Sequence, residues 1–181
     1  MKYEYYKVIG LQRSGTNWIN ELIKHNFYVE PIPKYPMYKH LTPLGVQPGK
    51  LKELLPGATD LKNLELRDDM FFIGTQKPFE LWKKSIKRKS VDFYRSHNYD
   101  KNPFTEVWNS WDVWKNTKVH KKNFYFQPYL KWLDNWPEHL EDIELITGWQ
   151  RKHAEFQNVR AHDVPLSGRH FRIERYKKGS K

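Results

Sequence analysis

The chain has 181 residues and not one of them is cysteine. That absence removes disulfide frameworks and thiolate metal sites, and it suits a reducing compartment. No apolar run approaches the length of a membrane span. The first residues, Met1-Lys2-Tyr3-Glu4-Tyr5-Tyr6, hold no apolar core of the kind that opens a secretory signal. The expectation is therefore a cytoplasmic protein without a membrane span. Acidic side chains are few beside basic ones, 21 Asp and Glu against 32 Lys and Arg, a formal net charge of +11. Such a surplus implies an anionic partner: a nucleic acid, a membrane surface or a polyanionic cofactor. Internal repeats and low-complexity tracts are also missing. The length fits one α/β domain over 1–181 with a core of its own.

A more local absence is the most informative. Lys7-Val8-Ile9-Gly10-Leu11-Gln12-Arg13-Ser14-Gly15-Thr16-Asn17-Trp18 runs from an apolar strand through a glycine-bearing turn into an apolar-periodic segment, Trp18, Ile19, Leu22 and Ile23. Strand, turn and helix start together make a phosphate cradle, because the N–H groups of the first helical turn and the helix dipole favour an anion there. Gly10 and Gly15 have the spacing of the nucleoside-triphosphate loop G-x-x-x-x-G-K-[ST]. The lysine that should follow Gly15 is missing. Thr16 stands there, and the cation lies inside the loop as Arg13. The lysine normally meets the β- and γ-phosphates. Its absence argues against kinase or ATPase chemistry and leaves a cradle suited to a 5′-phosphate.

Tyr5 to Ile9 reads as a buried strand and the helix after the loop runs to about Asn26. Prolines 31, 33 and 36 punctuate an extended segment, and Met37–Leu41 is a short strand or strand end. Met70–Gly74 is a second buried strand. Pro78 opens a helix with Phe79, Trp82, Ile86 and Phe93 on one face. Pro103 starts another, carrying Trp108, Trp111 and Trp114. Asn123–Gln127 is a third main strand. Pro137 begins a helix through about Thr147, with Leu140, Ile143 and Ile146 inward. After Gly148 the chain is polar and basic without a period. Strands alternating with helices predict a mostly parallel central sheet flanked by helices, with ligands at the carboxyl ends of the strands.

A second cation stands at such an end. Lys77 follows the Met70–Gly74 strand, and Ser85 lies eight residues further on, about two turns into the next helix. The spacing permits the ammonium and the hydroxyl to grip one phosphate; it equally permits a solvated lysine and a neutral helix serine.

Arg13-Ser14-Gly15-Thr16-Asn17-Trp18 resembles the 5′-phosphosulfate loop of the sulfotransferases that use 3′-phosphoadenosine-5′-phosphosulfate (PAPS), with Gln12 where that family usually has proline. The resemblance implies a P-loop-like, three-layer fold and places these six residues on the 5′-phosphosulfate side of the donor. It also implies that Lys77 and Ser85 hold the 3′-phosphate, with lysine replacing the family's arginine and so losing the bidentate fork. Tyr129, in Gln127-Pro128-Tyr129-Leu130-Lys131, would lie near the adenine, although the acidic pair that follows this tyrosine in the family is replaced. Lys39-His40 looks like a shortened form of the family's base-bearing segment, which makes His40 the implied general base; His is the side chain that titrates near neutrality. Lys177-Lys178-Gly179 is similar to the family's basic loop over the 3′-phosphate, and a basic tail is an equal account of it.

The expected reaction is sulfuryl transfer from PAPS to a hydroxyl or amine, leaving 3′,5′-bisphosphoadenosine (PAP). It requires positioning, neutralised charge on the leaving phosphate and a base. No metal is expected, and no Asp ends either central strand. The acceptor is a small molecule, a carbohydrate or a lipid head, shaped by residues 31–62 and 97–114. Two alternatives stand beside this reading: a P-loop nucleotide kinase or NTPase, and a basic nucleic-acid-binding protein. The second is not favoured because it leaves both cation-bearing loops unused.

Overall fold

A computed structural model describes residues 2–11, 13–32, 66–85 and 103–159. Within them the chain runs β1 (Tyr5–Ile9), α1 (Thr16–Asn26), β2 (Glu30–Pro31), β3 (Met70–Gln76), α2 (Phe79–Ser85), α3 (Pro103–Lys118), β4 (Phe124–Pro128) and α4 (Tyr129–Thr147). The four strands form one parallel sheet in the order β2-β1-β3-β4. Tyr5 pairs with Met70 and Ile9 with Gly74; Phe72 pairs with Phe124 and Gln76 with Pro128. The α/β expectation holds: parallel strands need crossovers, and the helices supply them on both faces.

Alternation along the strands sorts two cores. Tyr6, Val8, Phe71, Ile73 and Tyr125 face α1 and α4 and pack against Trp18, Ile19, Leu22, Ile23, Trp132, Leu133, Leu140 and Ile143. Ile9, Met70, Phe72 and Phe124 point the other way, against Trp82 of α2 and Trp111 and Trp114 of α3. Helices therefore cover both faces of the sheet. Every residue of β3 is buried, as expected for a central strand covered on two sides.

Several boundaries differ from the sequence reading. β3 continues through Thr75 and Gln76, because Gln127 and Pro128 of β4 extend the ladder beyond Gly74. α4 is two helical stretches that meet at a kink, where Asn135 departs from helical geometry at φ −134° and ψ 39°. The second stretch is the helix expected from Pro137, and a proline is tolerated in such a first turn because its missing N–H has no partner there. The first stretch, from Tyr129, was not expected. Ile146, expected inward, is 41% exposed, and Leu145 beside it is 87% exposed.

Trp149 is the largest departure. It follows Gly148 in a stretch without apolar period, yet it is buried. Its indole packs edge-on near Tyr6, Phe27 and Phe71, and Nε1 donates to the Tyr3 carbonyl at 2.9 Å. Phe27 and Arg151 form an antiparallel bridge that ties this segment to the end of α1. Among the described residues, no helix is long and apolar enough to cross a membrane. The expected strand at Met37–Leu41, the turn at Lys50–Leu55 and the helix positions Ile86 and Phe93 lie outside the described residues.

Candidate functional site

The strand order reverses at β1. The chain places β2 on one side of it and then returns to place β3 on the other. At such a switch point, the loops leaving the two neighbouring strands diverge and open a crevice at their carboxyl ends. The loop after β1 carries Arg13, and the residue after β3 is Lys77. The topology thus brings both cation-bearing segments to one edge of the sheet.

The first loop is held close to that edge. By the β1–β3 register Gly10 stands beside Thr75. A Cβ on Gly10 would lie 2.8 Å from the Thr75 carbonyl and 2.9 Å from Thr16 Cγ2, so only glycine fits between them. Ser14 N–H turns back to the Leu11 carbonyl at 3.2 Å. Arg13 and Gly15 both adopt left-handed backbone, with φ 65° and 84°. Gly15 then caps α1, and the first helical bond runs from Ile19 N–H to the Gly15 carbonyl at 3.1 Å. No side chain caps this helix, and its first turn contains no acid. An anion is favoured in front of such a terminus by the helix dipole and the N–H groups of the first turn.

The second segment meets the loop directly at Ser85 and indirectly through Tyr129. Arg13 Nε donates to the Ser85 carbonyl at 3.4 Å. Lys77 is buried, with Nζ 4.8 Å above the centre of the Tyr129 ring. The same ring abuts Gly15, so closely that a Cβ there would lie 2.2 Å from Tyr129 Cε2. Tyr129 is therefore a clamp between loop and cation. It is itself buried, and in this conformation it presents no open face for a base to stack on. Trp108 of α3 fixes the backbone beneath, donating its indole N–H to the Lys77 carbonyl at 2.9 Å.

Arg13, Gly15, Lys77, Ser85 and Tyr129 thus converge. Thr16 is buried at the start of α1 and Asn17 is half-buried beside it. Trp18 turns the other way into the core with Ile19 and Tyr129, so what it can offer a ligand is its backbone N–H. Lys77 is not the solvated cation that spacing alone allowed. Ser85 Oγ donates its proton to the Trp82 carbonyl at 2.7 Å, so the hydroxyl can serve an oxyanion only by turning. His40, His97 and Lys177-Lys178-Gly179 lie outside the described residues.

Three buried polar atoms at this edge have no hydrogen-bond partner among the described residues: Ser14 Oγ, Thr75 Oγ1 and Gln76 Nε2. A buried group left unsatisfied costs about 1–3 kcal/mol. The two hydroxyls, beside a helix N-terminus with two cations nearby, fit a bound tetrahedral oxyanion such as the 5′-phosphate end of a nucleotide donor, whereas Gln76, one residue past Thr75, turns to the other face of the sheet. Among the described residues, no group of three His, Cys, Asp or Glu side chains is arranged to hold a metal ion.

Sequence reasoning passed over Thr75, Gln76 and Trp108. The available signal was a polar pair ending an otherwise apolar strand. It also passed over a buried chain of hydrogen bonds on the other side of β4. Tyr125 Oη donates to Asp142 Oδ2 at 2.8 Å and lies 3.0 Å from His139 Nδ1. The ring tautomer decides which of the two donates in the His139–Tyr125 contact, and the Lys131 backbone also acts on the imidazole. Burial pushes the His139 imidazole below its ordinary value and raises the Tyr125 phenol.

Against models of known families and against curated proteins, this chain finds no match.

Proposed function

We propose that this protein is a sulfotransferase that takes a sulfuryl group from PAPS and passes it to a hydroxyl or amine. The observation that carries the reading is the meeting of the Arg13 loop and the Lys77–Ser85 segment at the β1–β3 switch point, joined by Arg13 Nε to the Ser85 carbonyl at 3.4 Å. The wording of the loop supplies the donor's identity, through its resemblance to the PAPS family.

Bound PAPS would supply a sulfuryl group already activated on a phosphate leaving group. The chain's own residues then have separable tasks. Arg13 and the N–H groups of the first turn of α1 neutralise the charge that gathers on the leaving 5′-phosphate oxygen. Lys77 faces the 3′-phosphate, and Ser85 joins it once its hydroxyl turns from Trp82. Trp108 and Tyr129 keep Lys77 in place from its backbone and its ammonium ends. His40 takes the proton from the acceptor as the new bond to sulfur forms and the sulfur–oxygen bond to the phosphate breaks. The acceptor is a small molecule, a carbohydrate or a lipid head, and the reaction is placed in the cytoplasm.

Titration calorimetry with PAP tests the donor. Saturable binding is expected, and its absence at millimolar PAP would sink the reading. His40→Ala tests the base. Donor binding should survive while transfer from PAPS is lost, and unchanged transfer removes His40 from the role.

A further inference from the structure

We infer that the Thr75 hydroxyl is itself a ligand of the oxyanion held by the Arg13 loop. This rests on reading that loop as an oxyanion cradle, and it adds a residue from β3 that the loop's wording does not contain.

The placement comes first. Thr75 is the next-to-last residue of β3, and the register sets it beside Gly10, where the loop begins. Its carbonyl and Cγ2 would lie 2.8 and 3.5 Å from a Cβ on Gly10. The other close neighbour of that point, at 2.9 Å, is Thr16 Cγ2, from the first residue of α1. Thr75 therefore sits at the root of the loop and against the start of the helix whose dipole favours an anion.

The second observation is independent of the helix terminus. Thr75 is fully buried, and its Oγ1 has no hydrogen-bond partner among the described residues. The same is true of Ser14 Oγ, within the loop itself. One orphaned buried hydroxyl is uncommon in a folded chain. Two of them, from separate elements meeting at one loop, are accounted for together if an oxyanion accepts from both. The remaining orphans divide differently. Trp111 Nε1 belongs to the α2–α3 core, and Trp132 Nε1 and His139 Nε2 lie along α4. Gln76 follows Thr75 and so turns to the other face of the sheet.

The chemistry of the side chain then sets the ligand class. In nucleoside-triphosphate loops a carboxylate from a neighbouring segment holds the Mg²⁺ that bridges the phosphates. A threonine hydroxyl there carries no charge to repel an anion and has a proton to give it. The site is thus built to take a bare tetrahedral oxyanion of a phosphate or sulfate ester directly, oxygen to hydroxyl.

The experiment compares the wild-type chain with Thr75→Val and Thr75→Ser. Inorganic pyrophosphate and PAP are the probes in titration calorimetry, and Tm is measured beside each titration. Valine keeps the shape and removes the orphaned hydroxyl, so Tm should hold or rise while affinity for both probes falls about tenfold, the scale of a hydrogen bond to a charged group. Serine should bind within about twofold of wild type, the hydroxyl being retained. Pyrophosphate and PAP binding that is equal in all three proteins overturns the inference and leaves the sulfotransferase reading standing. Pyrophosphate binding that follows the expected pattern, with no PAP binding at all, upholds Thr75 and removes the PAPS reading. A valine variant that loses Tm or fails to fold assigns the hydroxyl to the fold and overturns the inference. Wild-type protein that binds neither probe overturns both.

Discussion

Gly15 and Tyr129 stand against each other so closely that a methyl group on Gly15 would lie 2.2 Å from Cε2 of the tyrosine ring. Gly15 also has φ 84°, where a Cβ is strained whatever the space. Gly15→Ala therefore meets two separate costs, roughly 1–2 kcal/mol of backbone strain and about 1–3 kcal/mol of overpacking. The variant should lose about 2–5 kcal/mol of stability in urea unfolding and, if the loop holds the donor, most of its affinity for PAP. Adding Tyr129→Ala should relieve only the packing share. If Gly15→Ala unfolds at the same urea concentration as wild type, the clamp is not formed in solution.

Lys77 makes the second prediction. Its ammonium is 4.8 Å above Tyr129, and Trp108 holds its carbonyl. If Lys77 serves the 3′-phosphate, Lys77→Ala should weaken PAP by at least about tenfold, the scale of a lost charge-assisted hydrogen bond, and 5′-AMP much less. Lys77→Arg should restore binding, since a guanidinium keeps the charge and adds a fork. Equal losses for PAP and 5′-AMP would move Lys77 to the 5′ side of the donor.

What could be read from the residues, and what could not, follows from locality. Tyr5–Ile9 and Met70–Gly74 were legible because apolar runs ending at glycine, interrupted only by Lys7 in the first, are what a parallel strand covered on two faces needs. The Arg13 loop was legible because its chemistry lies within a few residues. Tyr129 as a clamp was not, because its partner Gly15 is far away in sequence and its effect is one of close approach. Thr75 was hidden at the end of a strand whose apolar part was already sufficient for the assignment. Trp149 was missed because one tryptophan in a polar stretch has no period to betray it; its burial depends on Tyr3, Phe27 and Phe71 arriving from elsewhere. The helix from Pro137 to Thr147 was legible from its proline start and apolar spacing, whereas the stretch before the Asn135 kink, from Tyr129, has no such opening signal.

Trp149 gives the third prediction. Its ring fills the core between β1, β3 and the end of α1, and its N–H ties the segment after α4 to Tyr3. Trp149→Ala should cost about 3–5 kcal/mol, the range for removing a buried tryptophan. Trp149→Phe should cost less, keeping most of the ring while leaving the Tyr3 carbonyl unpaired. Fluorescence-monitored urea unfolding measures both. A loss below about 1 kcal/mol for the alanine variant would place the segment off the core.

The last prediction concerns acid. His139 is buried beside Trp132, with its Nδ1 hydrogen-bonded to Tyr125 Oη and Tyr125 donating to Asp142. Burial holds its proton affinity below the ordinary value of 6.5, against opposing pulls from the Lys131 backbone, Asp142 and Glu138; nearby Lys131 charge acts with burial. The unfolded chain therefore binds a proton at this position more readily than the folded one. By linkage, the stability this group contributes is complete above pH 6.5 and is lost as pH falls from there towards the lower folded value. Urea midpoints measured from pH 8 to pH 5 should fall on the acid side, and the fall should shrink in His139→Gln, which cannot take up the proton. Tyr125→Phe removes the hydrogen-bond partner of Nδ1 and should lower stability across the whole range by about 1–3 kcal/mol. A wild-type midpoint that stays level or rises below pH 6.5, with His139→Gln behaving identically, would show that the imidazole is not held neutral in this fold.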